Sequence, residues 1–173
     1  MSDEPIVLGH FTTYRATPAL WQIVARQFLP PLINRLLDEF KIEVRACPKT
    51  MALMGQMAMT GHTSITPASE ADWHQQFQSP VLAVKMVTNM EEALAHIVDH
   101  GPCMTAVIAT TRYDSAMRFT REVDASAVLV NASSRLHAGD SFVSGSDVGL
   151  SGSRLHAKGP VGLEQLTCEM YVA

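Results

Sequence analysis

Charge is scarce in this sequence, and the little there is leans acidic. Charged residues make up 17% of 173 positions, with 13 Lys and Arg against 17 Asp and Glu, for a formal net charge of −4. Binding to a phosphate backbone needs a clustered positive surface, so neither a nucleic acid nor an anionic membrane is expected as a partner. Long apolar runs are missing too. None approaches the ~20 residues that cross a bilayer, so no membrane span is expected. The start, "MSDEPIVLGH", is acidic where a secretory or transit peptide would be basic, which reads as a cytoplasmic protein. Cysteine is sparse: Cys47, Cys103 and Cys168 are far apart and odd in number. That argues against a disulfide framework or a CxxC metal clip and for reduced thiols, each a buried structural group by default. G-x-G-x-x-G, P-loop and G-x-S-x-G patterns are all absent.

What is present is an ordinary core-forming composition. Hydrophobic residues reach 47%, enough for the 173 residues to form one domain around a buried core. "PIVLG" (5–9) and "KIEVRA" (41–46) read as short strands. Between them Thr17-Pro18 resembles a helix start, and "ALWQIVARQF" sets Leu20, Ile23, Val24 and Phe28 on one helical face. Pro30-Pro31 should end or kink that helix before "LINRLLDEF" resumes the period. "TMALMGQMAM" (50–59) holds four of the ten methionines and reads as helical core filler.

From residue 81 the pattern becomes regular. "VLAVKMV" is a buried strand, "NMEE" a capping box with Asn89 as N-cap and Glu92 reaching back, and "EEALAHIVDH" a helix stopped by Gly101-Pro102. "TAVIAT", "RYDSAMRFTREV" and "AVLVNAS" follow as strand, helix and strand, then a Gly/Ser-rich loop, a helical turn "GLEQL" and a last strand "CEMYVA". Strands alternating with helices over short connections imply βαβ units, hence an α/β fold with a parallel-dominated sheet flanked by helices. Strands at 81–87, 105–110 and 127–132 are expected to be neighbours in it, joined by right-handed crossovers.

Candidate chemistries are few. His96 and His100 share a helical face, as a zinc pair would, but no third ligand stands at a telling spacing and no metal site is expected. "GSDVGLSG" (145–152) is glycine-rich without the form of a nucleotide loop. Arg135, Arg154 and Lys158 could hold a carboxylate or phosphate, which leaves a small-anion binding module open beside a plain solvated loop. Any ligand site is expected around Asn131, Ser133 and Arg135 with the Gly145–Gly149 loop, including Asp147, because ligands of parallel sheets gather beyond the carboxyl ends of the strands. Asn131 could equally do no more than tie down its turn.

"LAVKMVTNMEEALAHI", "TREVDASAVLVNASSR", "SDVGLSGSRLHAKGPVGLEQLT" and "ACPKT" (46–50) resemble, in order, the C-terminal part of the gamma-glutamyl phosphate reductase (glutamate-5-semialdehyde dehydrogenase) family of the aldehyde dehydrogenase superfamily, with 79–171 matching best. The resemblance implies the superfamily's catalytic-domain fold without its Rossmann-like cofactor domain. It also implies proline-biosynthetic chemistry: a cysteine thiolate attacks an acyl phosphate, phosphate leaves, and NADPH delivers hydride to the thioester. Several family positions are altered. The strand after the nucleophile corresponds to "IVLGH" (6–10), which puts the cysteine at about Met1. An acidic residue stands as Gln76, a His and an acidic residue as Met104 and Ala106, and one acidic residue is kept as Asp147. These departures imply a chain that binds no cofactor and is non-catalytic alone, a structural or regulatory subunit; the alternative is part of a working NADPH-dependent enzyme, truncated or split. The family's oligomerisation strand would be Cys168–Ala173, implying a homo-oligomer or a subunit of a larger complex.

Overall fold

A computed structural model describes residues 6–11, 20–25, 28–55, 65–75, 77, 79–100, 103–137, 149–151 and 157–172. Seven strands form one sheet: β1 (Ile6–Phe11), β2 (Leu20–Ala25), β3 (Glu43–Ala46), β4 (Ile65–Pro67), β5 (Val81–Val87), β6 (Cys103–Ile108) and β7 (Ala125–Val130). Their order across it is β4-β3-β5-β1-β2-β6-β7. The helices are α1 (Leu29–Asp38), α2 (Pro48–Gly55), α3 (Met90–Asp99) and α4 (Tyr113–Glu122). β3 pairs in parallel with β4 and β5, and β6 with β2 and β7, while β1 runs antiparallel to β2 and β5. The α/β fold and the parallel-dominated sheet read from the sequence are both present. None of the described helices is long and apolar enough to cross a membrane.

The local signals explain most elements. Asn89 caps α3, its Oδ1 accepting the Glu92 N–H at 2.9 Å. Glu92 reaches back to the N–H of Thr88, at 2.7 Å, rather than to that of Asn89 itself. Every residue of β5 is buried except Lys85, which is half-buried, as suits a strand covered on both faces. Leu29, Ile33, Leu36 and Leu37 of α1 pack with Val44, Met54, Trp73, Phe77 and much of β5 in one core cluster. Ala93 and Ile97 of α3 meet Ala106, Ile108 and Phe119 in another.

Four expectations are corrected. Leu20–Ala25 is a strand, not a helix: a short apolar run carrying Ile23 and Val24 fits either period, and pairing on both sides, with β1 and β6, decides it. Pro30 and Pro31 open α1 rather than break a helix, because first-turn N–H groups lack intrahelical partners anyway. β5 and β6 are not neighbours, since the β1–β2 pair lies between them; β6 and β7 are. Residues 167–172 form neither strand nor helix, and Met170, Tyr171 and Val172 are at least 83% exposed, because none of the described strands pairs with them. The proposed helix start at Thr17-Pro18 and residues 56–59 of the methionine-rich run lie outside the described residues.

Candidate functional site

The carboxyl ends of β6 and β7 are held together by Asn131. Its backbone N–H donates to the Ile108 carbonyl at 2.9 Å. Its side chain brackets Thr110, with Oδ1 accepting the Thr110 N–H at 2.9 Å and Nδ2 donating to the Thr110 carbonyl at 2.8 Å. A φ of 51° puts Asn131 in the left-handed region, which asparagine tolerates better than most residues. Both polar ends of this amide therefore serve the turn.

Past Asn131 the chain enters a short 3₁₀ helix, Ser134–His137, whose Leu136 N–H donates to the Ser133 carbonyl at 3.0 Å. Its last residue, His137, is buried with Nδ1 2.6 Å from the Thr105 hydroxyl on β6. The string Ser-Arg-Leu-His at 134–137 thus docks onto the sheet; it occurs again at 153–156, which lies outside the described residues. Two short antiparallel strands follow, β8 (Gly149–Ser151) and β9 (Gly159–Val161), then a single turn α5 (Leu163–Leu166). The Ser126 hydroxyl of β7 donates to the Lys158 carbonyl at 2.9 Å. The Lys158 ammonium donates to Asp124 Oδ1 at 2.6 Å.

Of the expected ligand residues, Asn131 and Ser133 thus lie at the carboxyl end of β7, Gly149 opens β8, and Lys158 is paired with Asp124. Arg135 lies in the 3₁₀ helix, though its side chain is not described, and Gly145, Asp147, Arg154 and Gln76 fall outside the described residues. Met104 and Ala106 are buried in β6 at 2% and 0% exposure, filling core where the resemblance would put polar groups.

The thiols separate. Cys47 is buried, with the Thr50 hydroxyl 3.2 Å from Sγ and the Met86 N–H donating to it at 3.3 Å. Cys168 is exposed, against the expectation of a buried thiol, because it sits on the unpaired tail. The Cys103 side chain is not described.

A second polar constellation lies at the C-terminal end of α3. His96 is buried and takes a hydrogen bond from the Lys85 ammonium, Nζ to Nδ1 3.0 Å. His100, one turn on, has a largely buried side chain that meets the exposed Glu70 and His74 from the segment around a short 3₁₀ helix, Glu70–Trp73. Hydrogen bonding to His100 comes first among the causes that hold the Glu70 carboxyl below the usual carboxylate range. Glu70 and His74 were missed in the sequence. The available signal was that "EADWH" and "HIVDH" both place a possible ligand four residues before a histidine.

No protein-family model matches the chain. Gamma-glutamyl phosphate reductase of Magnetococcus marinus is 46% identical over 149 residues, covering 86% of this chain and 34% of that protein. The protein of the same name from Desulfatibacillum aliphaticivorans is 43% identical over 148 residues, covering 86% and 33%. Among solved structures, gamma-glutamyl phosphate reductase of Thermotoga maritima superposes with a TM-score of 0.71 at 35% identity, over 85% of this chain and 35% of that one. The Saccharomyces cerevisiae protein gives 0.51 at 26% identity, over 63% and 27%. Over most of its length this chain is similar in sequence and sheet to gamma-glutamyl phosphate reductases, and it spans about a third of the length of the curated relatives it matches.

Proposed function

We propose that the chain is a non-catalytic structural or regulatory subunit built on the scaffold of a gamma-glutamyl phosphate reductase. The observation that carries this reading is the commitment of Asn131 and Lys158, two of the residues expected at a ligand site, to the chain's own fold. Asn131 is spent on Thr110 and Lys158 on Asp124, and Met104 and Ala106 fill core. The family's NADPH is not bound by this chain alone, and the cytoplasm is its compartment. It works as a homo-oligomer or within a larger complex, through the exposed tail that bears Leu163, Leu166, Met170, Tyr171 and Val172. Removing residues 168–173 should then turn an oligomer into a monomer or an aggregate in light scattering. A full-length chain that stays monomeric at high concentration would end the assembly proposal.

A second reading is favoured by the 46% identity over 149 residues, high for a scaffold freed from catalysis. On it, the chain is part of a working NADPH-dependent glutamate-5-semialdehyde dehydrogenase of proline biosynthesis. A small-anion module on Arg135, Arg154 and Lys158 is weakened by the pairing of Lys158 with Asp124. One experiment separates the first two. The purified chain is mixed with NADP⁺, inorganic phosphate and glutamate semialdehyde, alone and with a reductase cofactor domain that carries the nucleophilic cysteine. No nucleotide fluorescence change and no turnover in either mixture supports the structural role. Turnover on adding the domain assigns the chain to a working enzyme.

A further inference from the structure

Glu70, His74 and His100 come from two elements separated in sequence and meet at one edge of the molecule. Glu70 begins the 3₁₀ helix and His74 caps its end, while His100 caps α3. One donor atom from each lies within 4.8 Å of the other two. Ligand atoms around a tetrahedral zinc ion at ordinary bond lengths lie about 3.3 Å apart. Glu70 and His74 are both exposed, so small side-chain rotations close the difference without disturbing the core.

The hydrogen bonding of His100 sharpens the case. Its Nδ1 lies 2.8 Å from the His96 carbonyl oxygen, which can only accept, so the Nδ1 proton is fixed. The other nitrogen, Nε2, then faces Glu70 Oε1 at 3.0 Å. In the neutral ring that is a lone pair set against a carboxylate, an arrangement that needs a cation between them, either a second proton or a metal ion. A ring anchored through its far nitrogen to a backbone carbonyl is also the way metal-binding histidines are oriented. The His74 ring stands 4.7 Å from that of His100, tilted by 30°, which brings a second imidazole to the same point. His96 is outside the set, buried with its Nδ1 hydrogen-bonded to Lys85.

We propose that Glu70, His74 and His100 form a binding site for a divalent late first-row metal ion, with Zn²⁺ as its representative and water completing the coordination. Two imidazoles and one carboxylate select such ions over Mg²⁺ or Ca²⁺, which prefer all-oxygen sites. The ion would clip the Glu70–His74 segment to the end of α3, and so stabilise the folded chain by mass action.

The test is titration of the purified full chain with Zn²⁺ by calorimetry, and with Co²⁺ by visible absorption, beside the variants His74→Ala and Glu70→Gln. Both variants change exposed side chains, so folding is checked simply by circular dichroism. The expected result is one Zn²⁺ per chain, weakened at least about tenfold in each variant. Excess Mg²⁺ should not compete, and zinc should raise the melting temperature of the wild type but not of His74→Ala. Absence of zinc binding would overturn the proposal. So would equal binding by the wild type and both variants, the result if the ion sits on other histidines or on the exposed Cys168. A proton alone between Glu70 and His100 predicts the first of these outcomes.

Discussion

Replacing Gly159 by alanine tests how the closing "AKGPVGLEQL" segment is fastened to the sheet. Gly159 has a φ of 102°, a region that L side chains rarely enter. A Cβ built there lies 2.0 Å from Ser126 Oγ and 3.2 Å from Ser126 Cβ. The backbone strain of a non-glycine residue at such a φ is about 1–3 kcal/mol. The serine must also swing away, which breaks its 2.9 Å bond to the Lys158 carbonyl, worth about 0.5–1.5 kcal/mol. Against these, alanine restricts the unfolded chain and returns about 0.4–1 kcal/mol. The balance is a destabilisation of about 2–3 kcal/mol, or roughly 5–10 °C in melting temperature for a chain of this size.

Urea unfolding of Gly159→Ala measures that loss, and Ser126→Ala/Gly159→Ala dissects it. With the hydroxyl already gone, the glycine substitution should lose about 1 kcal/mol of its effect, because only the backbone strain and a tight methyl contact remain. Native-state hydrogen exchange should place the weakening in residues 157–166 and β7 before the rest of the sheet. A Gly159→Ala protein within 0.5 kcal/mol of wild type would refute the reasoning. An undiminished effect in the Ser126→Ala background would refute the part assigned to the hydroxyl.

Two further predictions follow from buried or strained polar groups. Burial pushes the Asp72 carboxyl up, but the Ser69 N–H, the Ser69 hydroxyl and the Arg45 guanidinium together hold it below the usual carboxylate range. A depressed carboxyl contributes stability above its unfolded pKa and loses it as the pH falls through the folded one, so the advantage of wild type over Asp72→Asn should be full near pH 7 and shrink below about pH 4. Asp72→Ala should destabilise by about 2–3 kcal/mol at pH 7 in urea unfolding: less than a fully buried pair, because Arg45 keeps Glu43; a difference unchanged between pH 7 and pH 3 would contradict the assignment. Asn131→Ala should destabilise by about 1.5–3 kcal/mol, and Asn131→Gly by about 1 kcal/mol less, because glycine loses the bonds to Thr110 but not the left-handed conformation; equal melting temperatures for the two variants would show that the φ carries no weight.

The elements between residues 81 and 130 were legible because their signals are local and agree with one another. "NMEE" gives a cap, the "VLAVKMV" run a strand buried on both faces, and the helix after each strand implies a parallel return. In the first half "PIVLG" and "KIEVRA" were legible as strands, but the stretch between them was not, because its placement depends on partners. Leu20–Ala25 offers a helical face behind the Thr17-Pro18 start signal, yet becomes a strand because β1 and β6 flank it. The same insertion misled the expected sheet order. Strands joined by one helix are usually neighbours, yet β1 takes the place beside β5 that β6 would otherwise fill, pairing Ile6 with Val87 and Phe11 with Leu82.

The polar residues show the same division. Asn131 was legible as the end of a strand, and its tie to the next turn was one of the two roles its position allowed; what the sequence withheld was the partner, Thr110, twenty-one residues earlier. Lys158 was read as a free cation because its counter-charge, Asp124, lies on the far side of a loop whose path is not written in local pattern. His96 and His100 were read as a pair because a helix fixes their spacing, but the helix also gives them different neighbours. Lys85 on β5 takes one and Glu70 with His74 meets the other. A side chain's chemistry is set by its residue type, but its role depends on which charge or lone pair the fold brings within about 3 Å. Here Lys158 is tied to Asp124 inside the fold, whereas His100 Nε2 is set 3.0 Å from the exposed carboxylate of Glu70.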